Sequence, residues 1–233
     1  MALNQKSSKN KSKKSVVGRK WRALSLRQKS RFIAFVVGLL LISVGINAIL
    51  KWNKIQHGGV PSGHTVATVS TDQPSEELPS KSYSVPADKP LSIQLPSIKA
   101  EGFIQQVGAD KNNQMVVPDN VHMAGWYTGS VLPGADGLSI LDGHVHGLYA
   151  KGIFYNVSKL KTGDRFSVTF GDKSVKNFMV KKVQTTTVEE ADTALYVRDN
   201  SIAKQLNLIT CGGKYDKAAK TYDARVIVVA EAI

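Results

Sequence analysis

Nineteen consecutive residues without a charge, FIAFVVGLLLISVGINAIL at 32–50, constrain this chain more than any other feature. As a helix rising 1.5 Å per residue, such a run spans about 30 Å, one bilayer hydrocarbon core. Residues 1–31 hold eleven Lys or Arg and no Asp or Glu, and most of the formal net charge of +13 sits there, leaving about +2 on residues 32–233. Basic residues before a span and few after it place the N-terminus inside and the remainder outside. The basic tail is therefore expected to lie against an anionic inner leaflet, with no nucleic-acid partner. A cleavable signal peptide has an apolar region of about 7–15 residues and a small-x-small site. Here the run is longer and ends in Ala48-Ile49-Leu50-Lys51-Trp52, where Lys and Trp suit an interfacial collar. A retained single-pass anchor in the cell membrane is expected.

Residues 51–89 are rich in Ser, Thr, Pro, Gly and Lys and poor in large apolar side chains. Such a stretch buries too little surface to fold alone and reads as a flexible extracytoplasmic linker. From residue 90 the pattern turns to β. LSIQLP (91–96) alternates apolar and polar, and GFIQQVG (102–108) and QMVVP (114–118) do so more weakly. LSILDG (138–143), RFSVTF (165–170), VKNFMVKKV (175–183), LNLIT (206–210) and RVIVVAE (225–231) are dense in β-branched and aromatic residues. Turn signals at 132–137, 161–164 and 171–173 separate them, and short helices fit near Ile153–Leu160 and Glu189–Tyr196. Many short strands and no long helix describe an all-β domain over 90–233, a closed barrel or a sandwich.

The chain has one cysteine, Cys211, so the exported domain has no internal disulfide and its thiol is either inert or reactive. Cys211 ends an apolar run and opens a glycine pair, LNLITCGG. A strand end followed by Gly212 and Gly213 places the sulfur at a rim that substrate backbone can approach. A cysteine nucleophile also needs a proton carrier and an oxyanion donor. His57 and His64 lie in the linker, and His122 precedes MAGWY. His144 and His146 lie in LDGHVHG, directly after a β run, where acid–base work is well placed. With Cys211 the two would also make a thin case for zinc, and no metal or cofactor is expected. Arg225 opens the last strand fourteen residues after Cys211, and a hairpin of that length returns its guanidinium to the sulfur.

The order of His, Leu-Ile-Thr-Cys and Arg resembles the sortase family. AGWYTGSVLPGADGLSILDGHVHG (124–147), NVSKLKTGDRFSV (156–168) and LNLITCGGKYDKAAKTYDARVIVVA (206–230) are similar to class F and related sortases. Tyr222-Asp223-Ala224-Arg225 is nearer the general sortase pattern, and His146 stands where class F has an acidic residue. The resemblance implies a closed β-barrel of about eight strands with short helices behind one N-terminal transmembrane helix. It implies His144, Cys211 and Arg225 as the catalytic group, with Thr210, Gly212 and Gly213 bordering the substrate groove. The implied substrates are secreted proteins with a C-terminal signal like Leu-Pro-x-Thr-Gly, cut between Thr and Gly through a thioacyl-enzyme. The acceptor would be an amine of a peptidoglycan precursor or a pilin Lys. The alternative is a non-catalytic, membrane-tethered β-domain that binds a surface partner.

Overall fold

The computed structural model describes residues 27–28, 65–66, 74–218 and 221–233. The expected anchor at 32–50, nearly all of the basic tail, and His57 and His64 lie outside them. Among the described residues no helix is long and apolar enough to cross a membrane. The chain divides into two units, Met1–Trp52 and Asn53–Ile233, and the barrel is built entirely from the second.

Eight strands close into that barrel: β1 (Pro90–Leu95), β2 (Ala100–Val107), β3 (Ala124–Tyr127), β4 (Gly137–Gly143), β5 (Arg165–Phe170), β6 (Val175–Thr187), β7 (Lys204–Asp216) and β8 (Thr221–Ala232). Their order around the barrel is β8-β6-β5-β1-β2-β3-β4-β7, with β7 returning to β8. β2/β3 and β4/β7 are parallel and the other pairs antiparallel. Of the two choices the residues alone leave open, the chain takes the barrel. Closure removes every unpaired edge.

One α-helix, α1 (Val188–Tyr196), links β6 to β7. It starts on Thr187, whose side chain accepts from the Glu190 backbone N–H at 3.2 Å, with Glu189 and Glu190 in the first turn, where the helix dipole favours acid. The helix expected near Ile153–Leu160 is a single 3-10 turn, Val157–Lys159. QMVVP contributes only Gln114–Met115, paired in parallel with Thr65–Val66 outside the barrel.

Two apolar clusters flank the barrel wall. Inside, Leu206 and Leu208 of β7 and Val226, Val228 and Ala230 of β8 meet Ile93, Val168, Phe178 and Leu141. Outside, Leu138 and Ile140 of β4, Ile209 of β7 and Ile227 of β8 pack with Tyr127 and with Leu195 of α1. Strands covered on both faces lose strict alternation, which is why LSIL and LNLI carry apolar residues on both faces and bury Ser139 and Asn207 as well. The same burial hides β3. All four residues of AGWY are buried, so no period of two marks it as a strand.

The last part of the segment expected to be a linker lies against the barrel. The Tyr83 hydroxyl donates to the Ile104 carbonyl at 2.9 Å, and its ring meets Phe103 at 5.0 Å. Residues 75–77 are bonded to the 119–122 segment: Ser75 N–H donates to Asp119 O at 2.7 Å, and Val121 N–H to Ser75 O at 2.9 Å. Composition alone masks this, because the bonds are made by backbone and polar groups rather than by apolar burial.

Candidate active site

The register of the β7–β8 hairpin sets Arg225 directly opposite Cys211. Side chains alternate along a strand, so Cys211 shares the outer face with Ile209 and Arg225 shares it with Ile227. In the parallel β4–β7 ladder Asp142 is paired with Ile209. Carried two residues further, that register would set position 144, just past the end of β4, level with Cys211. Asp142, Cys211 and Arg225, from three strands, share one face of the wall, with His144 beside Asp142.

Cys211 is half-buried and free. Burial pushes its thiol above the ordinary cysteine value, the charge of Arg225 pulls it back in part, and Asp142 pushes it up again. Arg225 is 2% exposed. Its Nη1 donates to the carbonyls of Tyr222 at 3.1 Å and Ala224 at 2.8 Å, which anchors the guanidinium at the head of β8. A buried guanidinium held by carbonyls, across from a thiol, is a fixed positive charge and a donor for an oxygen bearing developing negative charge.

His144 is half-buried, and its Nε2–H donates to the Pro118 carbonyl at 2.7 Å. That bond orients the ring and gives the neutral imidazole its proton at Nε2, so Nδ1 carries the lone pair. His146, one of the two histidines weighed for catalysis, is exposed. Its Nδ1 shares a hydrogen bond with the Tyr222 hydroxyl at 2.9 Å, and its ring stands edge-on to Tyr155 at 4.9 Å. Tyr222 in turn meets Tyr215 across the hairpin at 5.2 Å. His146 thus bridges the loop after β4 to the start of β8, through the residue whose carbonyl holds Arg225. His122 sits apart from this group, its Nε2 donating to the Glu76 carbonyl at 3.1 Å.

Thr210 is among the residues expected to border a groove. It is 2% exposed, and its hydroxyl donates to the Gly143 carbonyl at 2.5 Å. By alternation it faces the barrel interior with Leu208, so its side chain ties β7 to β4 just before His144 instead of lining a surface. Gly212 is half-buried and Gly213 exposed. Gly213 has φ +79°, and a Cβ there would overlap Asp223, whose carboxylate accepts from the Lys214 N–H at 2.7 Å. The hairpin register slips at this point, between Tyr222 and Ala224. A left-handed residue beside a bulge bends β7 just past the cysteine.

Asp142 is the group that sequence reasoning missed. It is 7% exposed, on the same face as Cys211 and Arg225, and accepts the Gly143 N–H at 2.6 Å. Burial pushes its carboxyl up to about 6 even though His144, Gly143 and Arg225 all favour the charged form. A carboxylate inside the apolar run LSILDG was the available signal. Among the described residues no three His, Cys, Asp or Glu side chains gather as metal ligands.

Residues 93–233 match the family model of the Sortase domain. Among solved structures the chain is similar to a lid mutant of sortase A from Corynebacterium diphtheriae, with 25% identity over 61% of this chain and 69% of that one and a TM-score of 0.47. It is similar to sortase C-1 from Actinomyces oris, with 26% identity, coverage of 61% and 72%, and a TM-score of 0.45. It also resembles sortase C2 of Group B Streptococcus Pilus Island 1, with 21% identity, coverage of 64% and 76%, and a TM-score of 0.47. Comparison with curated proteins gives no match. With the family model spanning more than half of its length, the chain belongs to the sortase family of cysteine transpeptidases.

Proposed function

We propose that this sortase is anchored in the cell membrane by residues 32–50, with its N-terminus cytoplasmic and its barrel outside. It cleaves a Leu-Pro-x-Thr-Gly-like sorting signal between Thr and Gly and transfers the acyl group to an amine. The observation that carries this reading is the placement of Arg225 opposite Cys211, with Asp142 on the same face and His144 beside it. Cys211 Sγ–H passes its proton to His144, Sγ attacks the Thr carbonyl carbon, and the Arg225 guanidinium donates to the oxyanion that forms. As the C–N bond breaks, protonated His144 gives its proton to the departing Gly amine, leaving a thioester on Cys211. An incoming amine then attacks the thioester, His144 takes its proton, and the Cys211 thiolate departs. The acceptor is a peptidoglycan precursor or a pilin Lys, so the reaction attaches or links surface proteins. Anchoring enzyme and substrate in one membrane raises their effective concentration, so recognition of the signal need not be tight.

The test is mass spectrometry of products formed by the full chain in detergent from quenched sorting-motif peptides and a mixture of amines. Wild type is expected to give amide products cut after Thr, and Cys211→Ala none. Turnover by Cys211→Ala would end the cysteine mechanism. An inert wild type whose Cys211 also resists a thiol reagent would instead favour the partner-binding β-domain.

A further inference from the structure

The loop after β4 carries His144 and His146 and folds back on itself: Gly147 N–H donates to Ala150 O at 2.8 Å, and Gly152 N–H to Val145 O at 3.0 Å. Its tip leaves three backbone N–H groups pointing outward, at 148–150. All three are taken by one carboxylate. Tyr149 N–H reaches Glu76 Oε1 and Oε2 at 3.0 and 3.1 Å, Ala150 N–H reaches Oε2 at 3.0 Å, and Leu148 N–H meets Oε1. The loop is shaped for this guest, since a Cβ at Gly147 would fall on Glu76 Oε1. The three N–H groups, Tyr149 foremost, hold the Glu76 carboxyl below its ordinary value, aided by His122.

The same short segment also grips the other flank of His144. Ser75, Glu76 and Glu77 bond to residues 119–122. The Asn120 side chain donates to Glu77 O at 2.9 Å and His122 Nε2 to Glu76 O at 3.1 Å, besides the two Ser75 backbone bonds. Directly before that stretch lies Pro118, whose carbonyl receives the His144 Nε2–H. The segment therefore braces both the acceptor that orients the imidazole and the loop that leaves it. It does so from more than sixty residues before His144 in the sequence.

We propose that Glu76 is a positioning residue for the transpeptidase, acting through His144. The segment 75–77 is a strap whose carboxylate fastens the 147–150 turn, and with it the imidazole, relative to Cys211 on β7. This rests on the function proposed above. Cys211 and Arg225 are held by the β7–β8 ladder and not by the strap. Losing the clasp should thus leave the thiol as it is and misplace only the proton carrier. Displacement of a reacting group by about 1 Å costs up to about a hundredfold in rate, and loosening of a half-exposed loop is expected to give about tenfold.

The experiment uses the full chain in detergent, with Glu76→Ala, Glu76→Gln and Gly147→Ala. Glu76→Ala and Gly147→Ala are expected to lower kcat about tenfold, with KM for the donor peptide within about twofold. Glu76→Gln, which keeps two acceptor lone pairs but no charge, should fall between them and wild type. The alkylation rate of Cys211 by iodoacetamide should stay at the wild-type value in all three. In chains with 15N-labelled histidine, the His144 ring resonances should shift in Glu76→Ala. Wild-type kcat in Glu76→Ala overturns the proposal, and so does a loss of kcat matched by an equal change in Cys211 alkylation, which marks general loosening. If wild type transfers no peptide, the function reading falls, while unmoved His144 resonances would separately sink the clasp.

Discussion

Asp142→Asn isolates one charge in the buried face of the site. Burial raises the native carboxyl from an ordinary value near 3.8 to about 6, against the pull of His144 and Arg225. That gap is worth about 3 kcal/mol at 1.36 kcal/mol per tenfold in proton affinity. The sign follows from proton counting. Between pH 4 and pH 6 the native state keeps a proton that the unfolded chain has released, so stability falls as pH rises through that window. Above pH 6 the whole cost is present. Asparagine copies the protonated side chain in shape and still accepts the Gly143 N–H, but never ionises. Asp142→Asn should therefore match wild type near pH 4 and exceed it at pH 7.5 by as much as about 3 kcal/mol. At about 2–4 °C per kcal/mol for a domain of this size, Tm should rise by up to about 6–12 °C. Thermal unfolding followed by circular dichroism at both pH values measures this directly. The Cys211 thiol, freed of a neighbouring negative charge, should also be alkylated faster at pH 7.5. An equal Tm difference at both pH values, or a wild type more stable at pH 7.5, would refute the reasoning, because it would mean that Arg225 and His144 outweigh the cost of burial.

Two other changes probe the scaffold around the sulfur. Thr210→Val removes the hydroxyl that donates to Gly143 O and should cost about 1–3 kcal/mol, read as a lower urea midpoint with an unchanged slope; an unchanged midpoint would deny this bond a structural role. Tyr222→Phe cuts the bridge to His146, and since the bridge is exposed, it and His146→Ala should each lower kcat/KM only about two- to threefold, with no further loss in the double variant; additive losses would show that the two side chains act separately.

Most of the barrel is visible in the chain, because its strands are apolar runs cut by turn residues. The pairing of Arg225 with Cys211 is visible too, since a hairpin is a local structure and fourteen residues is a short return. The features that stay hidden are those that local pattern cannot encode. β3 is hidden because both of its faces are covered, which erases alternation. The depth of Thr210 depends on strand parity, which a run such as LNLIT with apolar residues on both faces does not reveal. Asp142 reads as a turn residue at the end of LSILDG, and its environment is set by β7, far along the chain. Glu76 looks like linker chemistry, and only a contact spanning more than seventy residues gives it a role.

Because the barrel's seam runs through its final hairpin, the reactive centre is a property of finished topology rather than of any stretch of chain. β8 holds β7 on one side and β6 on the other. Until those last twelve residues zip into place, the sulfur has no guanidinium across from it. Made N-terminus first, a polypeptide of this design is chemically silent until the last strand of the barrel has paired. A half-folded molecule therefore poses little risk of acylating itself or its neighbours.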